Sequence, residues 1–126
     1  RLIAPGTEKP LRGSGVIIEG RLRIELSHGE RTIDRSTAVH VPVGAEVYLR
    51  TRRQGERFRP KGMAGRSRKI KDWMIDRKIP RQIRDQIPLV SLDGDVIAIC
   101  VGDVWHLAHR SQMTTDPGQF CTLVLE

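Results

Sequence analysis

Short apolar runs alternate along the chain with stretches rich in glycine, proline and charge. Residues 22–26 alternate between aliphatic and charged side chains, the period of a half-buried strand with one wet face. Residues 46–53 alternate in the same way, and residues 38–43 form an apolar run that Pro42 interrupts. Because proline cannot donate a hydrogen bond to a neighbouring strand, we expect this last run at the edge of a sheet.

The clearest local signal is a β-hairpin in the second half of the chain. Two apolar runs, residues 89–92 and 96–101, are separated by Asp93-Gly94, a dipeptide that suits the positive φ values of a type I′ turn. The second run is apolar almost throughout, which indicates a central strand. Residues 120–125 supply a last predicted strand.

Between these strand patterns lies the one stretch with helical periodicity. Ser67 is available as a cap for a first helix, and Pro80 suits the first position of a second. Apolar residues at helical spacing are Ile70, Trp73 and Met74 in the first helix and Ile83 and Ile87 in the second. Residues 55–65, with several glycines and a proline, predict a long loop.

Composition narrows the fold class. Aromatic residues make up 4% of the 126 residues, so the core must consist mainly of Ile, Val and Leu, which favour strands. We predict a β-rich α+β domain over residues 16–126, preceded by an irregular lead-in over residues 1–15. No apolar run approaches the roughly 20 residues needed to cross a bilayer. Because the first residue is Arg1 rather than Met, we expect a piece of a longer protein.

Charge is strongly segregated. Residues 50–84 hold fourteen Lys or Arg against three carboxylates, a net charge of +11, whereas the whole chain carries +7. Such a patch usually has a polyanionic partner, because an ordinary solvated face intersperses both signs. Arginine suits bidentate phosphate contacts. Aromatic residues are too few for the stacking surfaces of single-strand binders, so the composition favours backbone or shape recognition of a folded RNA.

Other chemistry is weakly supported by the sequence. Asp72 and Asp76, four residues apart, could belong to a metal-dependent nuclease, but ion pairing with neighbouring cations is the favoured interpretation. His106 and His109 lack the further ligands of a known metal spacing. No phosphate-binding loop, dinucleotide turn or Ser-His-Asp order is present.

The two cysteines, Cys100 and Cys121, lie in strand-like apolar runs. Buried thiols are the favoured interpretation and a disulfide stays the alternative. This usage fits a reducing cytoplasm.

The basic stretch resembles the C-terminal domain of tRNA(Ile)-lysidine synthetase. The resemblance rests on residues 52–60 (Arg-Arg-Gln-Gly-Glu-Arg-Phe-Arg-Pro) and 69–80 (Lys-Ile-Lys-Asp-Trp-Met-Ile-Asp-Arg-Lys-Ile-Pro), and extends over residues 46–102. Glu56 stands where the family has aspartate, and Trp73-Met74 replaces two aromatic residues. After Gly102 the family continues with a basic strand that this chain lacks.

The resemblance implies a fold and a function. The fold would be a β-sandwich of unusual topology shared with a module of the phenylalanyl-tRNA synthetase β subunit, carrying the short helical pair. This chain would have no catalysis and no cofactor of its own and would grip tRNA(Ile), chiefly at its acceptor stem. An N-terminal catalytic domain of the parent would use ATP and Mg to join lysine to the wobble cytidine.

These considerations give a set of candidate RNA-binding residues and two alternatives. The candidates are Arg52, Arg53, Arg57, Arg59, Lys61, Lys69, Lys71, Arg77, Lys78, Arg81 and Arg84. One alternative is a structural module that packs against other domains of the parent without touching RNA. The other is a small metal-dependent RNA-processing enzyme that uses Asp72 and Asp76.

Overall fold

The computed structural model describes residues 2–11, 16–19, 22–28, 37–41, 44–109 and 119–125. These ranges contain eleven strands, one α-helix and one 3-10 helix. The strands are β1 (Glu8–Leu11), β2 (Val16–Glu19), β3 (Leu22–His28), β4 (Thr37–Val41), β5 (Val47–Arg50), β6 (Arg57–Phe58), β7 (Arg68–Lys69), β8 (Leu89–Leu92), β9 (Asp95–Val101), β10 (Val104–Leu107) and β11 (Gln119–Leu125). The helix α1 spans Ile70–Asp76, and the 3-10 helix spans Arg81–Gln86.

The largest sheet has five antiparallel strands in the order β1-β5-β8-β9-β10. The predicted hairpin is its centre. Asp93 and Gly94 both have positive φ, 47° and 89°, as a type I′ turn requires. The Asp93 carboxylate accepts a 2.8 Å hydrogen bond from the backbone N–H of Glu46, which fixes the turn to the start of β5. The hairpin and the interior position of β9 are therefore confirmed.

The expected irregular lead-in over residues 1–15 is in fact partly ordered into this sheet. Residues 8–11 form β1 and pair with β5, with Glu8 opposite Arg50. Farther upstream, the backbone N–H of Ile3 donates to the carbonyl of Gln86 at 2.9 Å. Pairing between such distant segments leaves no local signal, which is why the turn-like composition misled the prediction. Gly13 and Gly15 lie outside the described residues.

A second sheet has four strands in the order β2-β3-β11-β4. β4 lies at its edge, as the proline at its end predicted. The last predicted strand, residues 120–125, is confirmed as β11, which pairs with both β3 and β4. Residues near the two ends of the chain therefore share one sheet.

The five-stranded sheet is covered on both faces. One buried cluster joins it to the second sheet through Ile24 of β3 and Val41 of β4. The opposite face packs against α1 and the segments around it. The strand β9 contributes to both clusters, which explains its nearly continuous apolar sequence. A register shift opposite Val90 and Ser91 lets neighbouring Ile97 and Ala98 both belong to the first cluster.

The helical region differs from its prediction in two details. Lys69, not Ser67, occupies the position before α1, and no side chain caps the helix. The Ser67 hydroxyl instead accepts a 3.1 Å hydrogen bond from Nε of Arg57. Pro80 immediately precedes the second segment, which is a 3-10 helix rather than an α-helix.

Two further expectations concern the loop and the cysteines. The predicted loop over residues 55–65 contains β6, and Pro60 forms an isolated β-bridge to Ala108. Cys100 is buried, as predicted, whereas the side chain of Cys121 lies outside the described residues. In the described ranges, no helix is both long enough and apolar enough to span a membrane.

Candidate nucleic-acid interface

Part of the basic segment, residues 50–84, forms a two-stranded ribbon of β6 and β7. Arg57 lies directly opposite Lys69, and Phe58 opposite Arg68. Because directly opposed side chains share one face of a strand pair, Phe58 turns into the core while Arg57 and Lys69 stay exposed together. Like charges in this position repel each other. The ribbon therefore presents a concentrated positive charge on its outer face.

The helix α1 is held by its apolar side and displays charge on the other. Ile70, Trp73 and Met74 are buried, which confirms the i, i+3, i+4 pattern. The backbone N–H of Ile70 donates to the carbonyl of Glu56 at 3.0 Å, tying the start of the helix to the preceding turn. Lys71 is exposed on the free side.

The turn after α1 directs two more cations outward. Lys78 has a positive φ of 58°, at a position where glycine is usual. The backbone N–H of Lys78 donates to the carbonyl of Ile75, and that of Ile79 donates back to Met74, so the helix ends in a Schellman motif. Buried Ile79 anchors this turn, while Arg77 and Lys78 remain exposed.

The 3-10 helix carries the last two candidate residues. Arg81 is exposed. Arg84 is half-buried, and its Nε donates a 3.0 Å hydrogen bond to the carbonyl of Ile79. Arg84 therefore supports the preceding turn with part of its hydrogen-bonding capacity.

Arg50 counts toward the charge of the sequence but not toward the charge of the surface. Its side chain is buried, and its guanidinium forms a bidentate pair with the carboxylate of Glu56 at 2.8 and 2.5 Å. It also donates to the Ser91 hydroxyl and to the carbonyl of Thr51. The alternation over residues 46–53 put Arg50 on the face opposite Val47 and Leu49. Its side chain is nevertheless buried, because Glu56 satisfies the guanidinium inside the protein.

The buried pair also sets the protonation of Glu56. Burial alone would raise the pKa of this carboxyl. Hydrogen bonds from the Arg50 side chain and from the Arg53 backbone N–H, together with the charges of both arginines, outweigh burial and lower the pKa. Glu56 is therefore an anion that neutralises Arg50 and fixes the turn from which the ribbon starts.

Two of the eleven candidates are engaged by carboxylates. Arg52 pairs with Asp85 at 3.0 Å, and Arg53 pairs with Glu8 at 2.6 Å. The other nine have no carboxylate partner among the described residues. Of these nine, eight are exposed and Arg84 is half-buried. The structure thus divides the candidates into paired cations near β1 and available cations along the ribbon, α1 and the 3-10 helix.

The carboxylates proposed for a nuclease do not assemble into a metal site. Asp76 pairs with Arg68, which also donates to the backbone carbonyl of Asp72. The ion pairing expected from the sequence is confirmed for Asp76. Within the described ranges, no group of three or more His, Cys, Asp or Glu residues could hold a metal ion.

Beside the ribbon lies a groove of about 310 Å³, which we call the tryptophan groove. The residues that define it are Phe58, Lys61, Trp73, Arg77, Trp105 and His106. The ring of Trp73 meets Phe58 edge to face at 5.4 Å and His106 at 5.3 Å between centroids. The guanidinium of Arg77 lies 4.3 Å from the centre of the Trp73 ring. Burial, and secondarily the charge of Arg77, lower the pKa of His106.

A larger groove of about 640 Å³ also borders Phe58. Arg57, Arg59 and His109 line it together with apolar residues of β9. The backbone N–H of His109 donates to the carbonyl of Arg59 at 2.7 Å, which holds the two segments together. Neither groove could be predicted from the sequence, because their walls come from segments that are some 40 residues apart.

Comparison with known proteins gives one consistent family. A family model described as the TilS substrate C-terminal domain matches residues 47–118. The tRNA(Ile)-lysidine synthase of Caldanaerobacter subterraneus is 42% identical over 86 residues, 67% of this chain and 17% of that protein. The corresponding enzyme of Clostridium tetani is 45% identical over 60 residues, 48% of this chain and 12% of that protein.

This chain therefore spans less than a fifth of the length of these curated relatives. A solved structure described as the crystal structure of the TILS C-terminal domain is similar in fold. Its TM-score is 0.60 at 24% identity, covering 93% of this chain and 94% of that one. The resemblance inferred from residues 46–102 is confirmed.

Proposed function

Because the chain belongs to the TilS substrate C-terminal domain family, we propose that its basic segment binds the phosphate backbone of tRNA. Family membership supplies the class of partner, since the curated relatives are named as tRNA(Ile)-lysidine synthases. On this proposal the chain binds the acceptor stem of tRNA(Ile) and catalyses no reaction of its own. A catalytic domain of the same parent would use ATP and Mg to join lysine to the wobble cytidine in the cytoplasm.

The observation that carries the proposal is the juxtaposition of Arg57 and Lys69. A cross-strand pair of like charges costs stability unless an anion lies between or above them. Phosphates spaced along an RNA backbone are anions of this kind, and Lys71, two residues after Lys69 in the sequence, is exposed as well. Neutralising them releases counterions, which makes the affinity dependent on salt.

Paired cations have a different role in this proposal. Arg52 and Arg53 already hold Asp85 and Glu8, so they would have to exchange a protein carboxylate for a phosphate. Exposed ion pairs are weak, about 0–1 kcal/mol, and exchange is therefore possible. We assign these two residues a smaller contribution than the unpaired cations.

The fold belongs to the same proposal. We propose that the two large sheets face each other as the β-sandwich that the family resemblance implied, comparable to the phenylalanyl-tRNA synthetase module. Support comes from the buried cluster that contains Ile24 and Val41 along with residues of the five-stranded sheet.

The test compares two reversals of equal charge. Lys71→Glu changes an exposed cation of the basic segment, whereas Lys9→Glu changes an exposed cation on β1, outside it. We expect Lys71→Glu to weaken binding of tRNA(Ile) roughly ten-fold at low salt and Lys9→Glu to change it much less. Circular dichroism checks that both variants fold. Equal affinities for the two variants would support a structural module instead and would refute the proposal.

A further inference from the structure

The tryptophan groove concentrates the scarce aromatic residues of this chain. The sequence contains two tryptophans, two phenylalanines and one tyrosine. Both tryptophans and Phe58 line this one groove, although they are separated by up to 47 residues in sequence. Trp73 is buried as part of the core, but Trp105 is half-buried, with His106 beside it. Trp105 lies opposite Cys100 in β9 and packs against the first buried cluster, so it borders the groove from the other face of the sheet.

Arg77 gives the groove a flat, charged surface. Its guanidinium stacks near the face of Trp73, while the residue as a whole is exposed. A guanidinium held against a tryptophan keeps its opposite face available, and nucleobases stack on such planes in RNA complexes. Lys61, on the same groove, is exposed and has no carboxylate partner among the described residues. It can therefore contact a phosphate next to a bound base.

His106 supplies a hydrogen-bonding side chain to the groove. It lies opposite Ile99 in β9, on the sheet face that packs against α1, and its ring meets that of Trp73. Burial, and secondarily the charge of Arg77, lower the pKa of His106, and a neutral imidazole can accept a hydrogen bond as well as donate one.

We propose that the tryptophan groove binds one unpaired nucleotide of the RNA that the basic segment holds by its phosphates. The base stacks on the guanidinium of Arg77, and Lys61 contacts the adjacent phosphate. This inference rests on the proposed function, and it adds recognition of a single-stranded position to contacts that otherwise see only the backbone. A volume of about 310 Å³ is near the lower limit for small-molecule sites and fits one nucleotide rather than a longer segment.

Trp73 makes the test direct, because Arg77 lies on its ring and the sequence contains one other tryptophan. The probes are a blunt RNA duplex and the same duplex with a few unpaired 3′ nucleotides. Stacking of a base is expected to favour the overhanging duplex roughly five-fold or more. We also expect the overhanging duplex, and not the blunt one, to change the tryptophan emission.

Two variants separate this inference from general phosphate binding. Arg77→Lys keeps the charge and removes the flat guanidinium, so the affinity ratio between overhanging and blunt duplex should fall close to one. Lys71→Ala should weaken both duplexes and keep the ratio. If both duplexes bind equally and neither changes the emission, the inference is overturned while the proposed function stands. A protein segment would then be the remaining candidate to occupy the groove. If neither duplex binds at low salt, the proposed function fails and this inference fails with it.

Discussion

Removing the carboxylate of Glu56 should destabilise the protein more than any change of an exposed charge. The substitution Glu56→Gln keeps the size of the side chain but leaves the buried guanidinium of Arg50 without its anion. Arg50 is 1% exposed, and the Glu56 side chain is 12% exposed. Breaking a buried pair by removing one partner costs about 3–5 kcal/mol. Because Glu56 retains some contact with water, we expect a loss of about 3 kcal/mol in the free energy of unfolding.

The assay is urea unfolding followed by circular dichroism, with thermal unfolding as a second measurement. A loss of this size should lower the Tm by roughly 10 °C. The matched control is Glu8→Gln, which removes the partner of Arg53. Both members of that pair are about half exposed, so the control should cost less than about 1 kcal/mol.

The pH dependence gives an independent check on the same pair. The folded pKa of Glu56 is lowered, so its stabilisation is complete above the unfolded pKa, about 4.3 for glutamate. It is lost as the pH falls below that value through the folded pKa. The difference between the native protein and Glu56→Gln should therefore shrink in acid. A cost no larger than that of Glu8→Gln, or a difference that does not change with pH, would show that the ion pair of Arg50 and Glu56 does not stabilise the fold.

Three further outcomes are expected. Lys78→Gly removes a lysine whose backbone is in the left-handed conformation, and it should raise the free energy of unfolding in urea by about 1 kcal/mol while weakening the affinity for tRNA. A less stable variant would contradict the assignment of the turn. Lys69→Glu places a carboxylate opposite Arg57 and should stabilise the fold by about 0.5 kcal/mol, but it should reduce tRNA affinity roughly ten-fold. If the variant bound tRNA as tightly as the unchanged protein, the ribbon would be excluded from the interface. NMR titration should give His106 a pKa below 6.5, and a midpoint at or above that value would show that its packing on Trp73 is wrong.

Short sequence patterns predicted the elements whose conformation depends on residues close together in the sequence. The Asp93-Gly94 turn needs positive φ at two successive residues, and few dipeptides allow this. The buried face of α1 followed from spacing alone. By contrast, β1 pairs with a strand some 40 residues away, and β3 pairs with β11 at nearly the full length of the chain. Such pairings depend on how the whole core packs, so no short sequence pattern predicts them.

The candidate interface was predicted as a set of residues but not as a surface. Net charge along the sequence identified the segment and could not show that Arg50 is buried on Glu56. That distinction depends on where the guanidinium finds an anion. The scarcity of aromatic residues argued against base stacking, because no short sequence pattern shows that Trp73 and Trp105 line one groove. Residue counts give the number of charged and aromatic side chains, whereas binding depends on where the fold places them.

Binding of RNA phosphates by the basic segment can be measured as the affinity of this chain for tRNA(Ile) across a series of salt concentrations. If several of the nine cations that have no carboxylate partner among the described residues contact phosphates, the logarithm of the affinity should fall with the logarithm of the salt concentration with a slope of about −3 or steeper. The Lys71→Glu variant should show a slope that is shallower by about one or more. An affinity that does not change with salt would contradict the account.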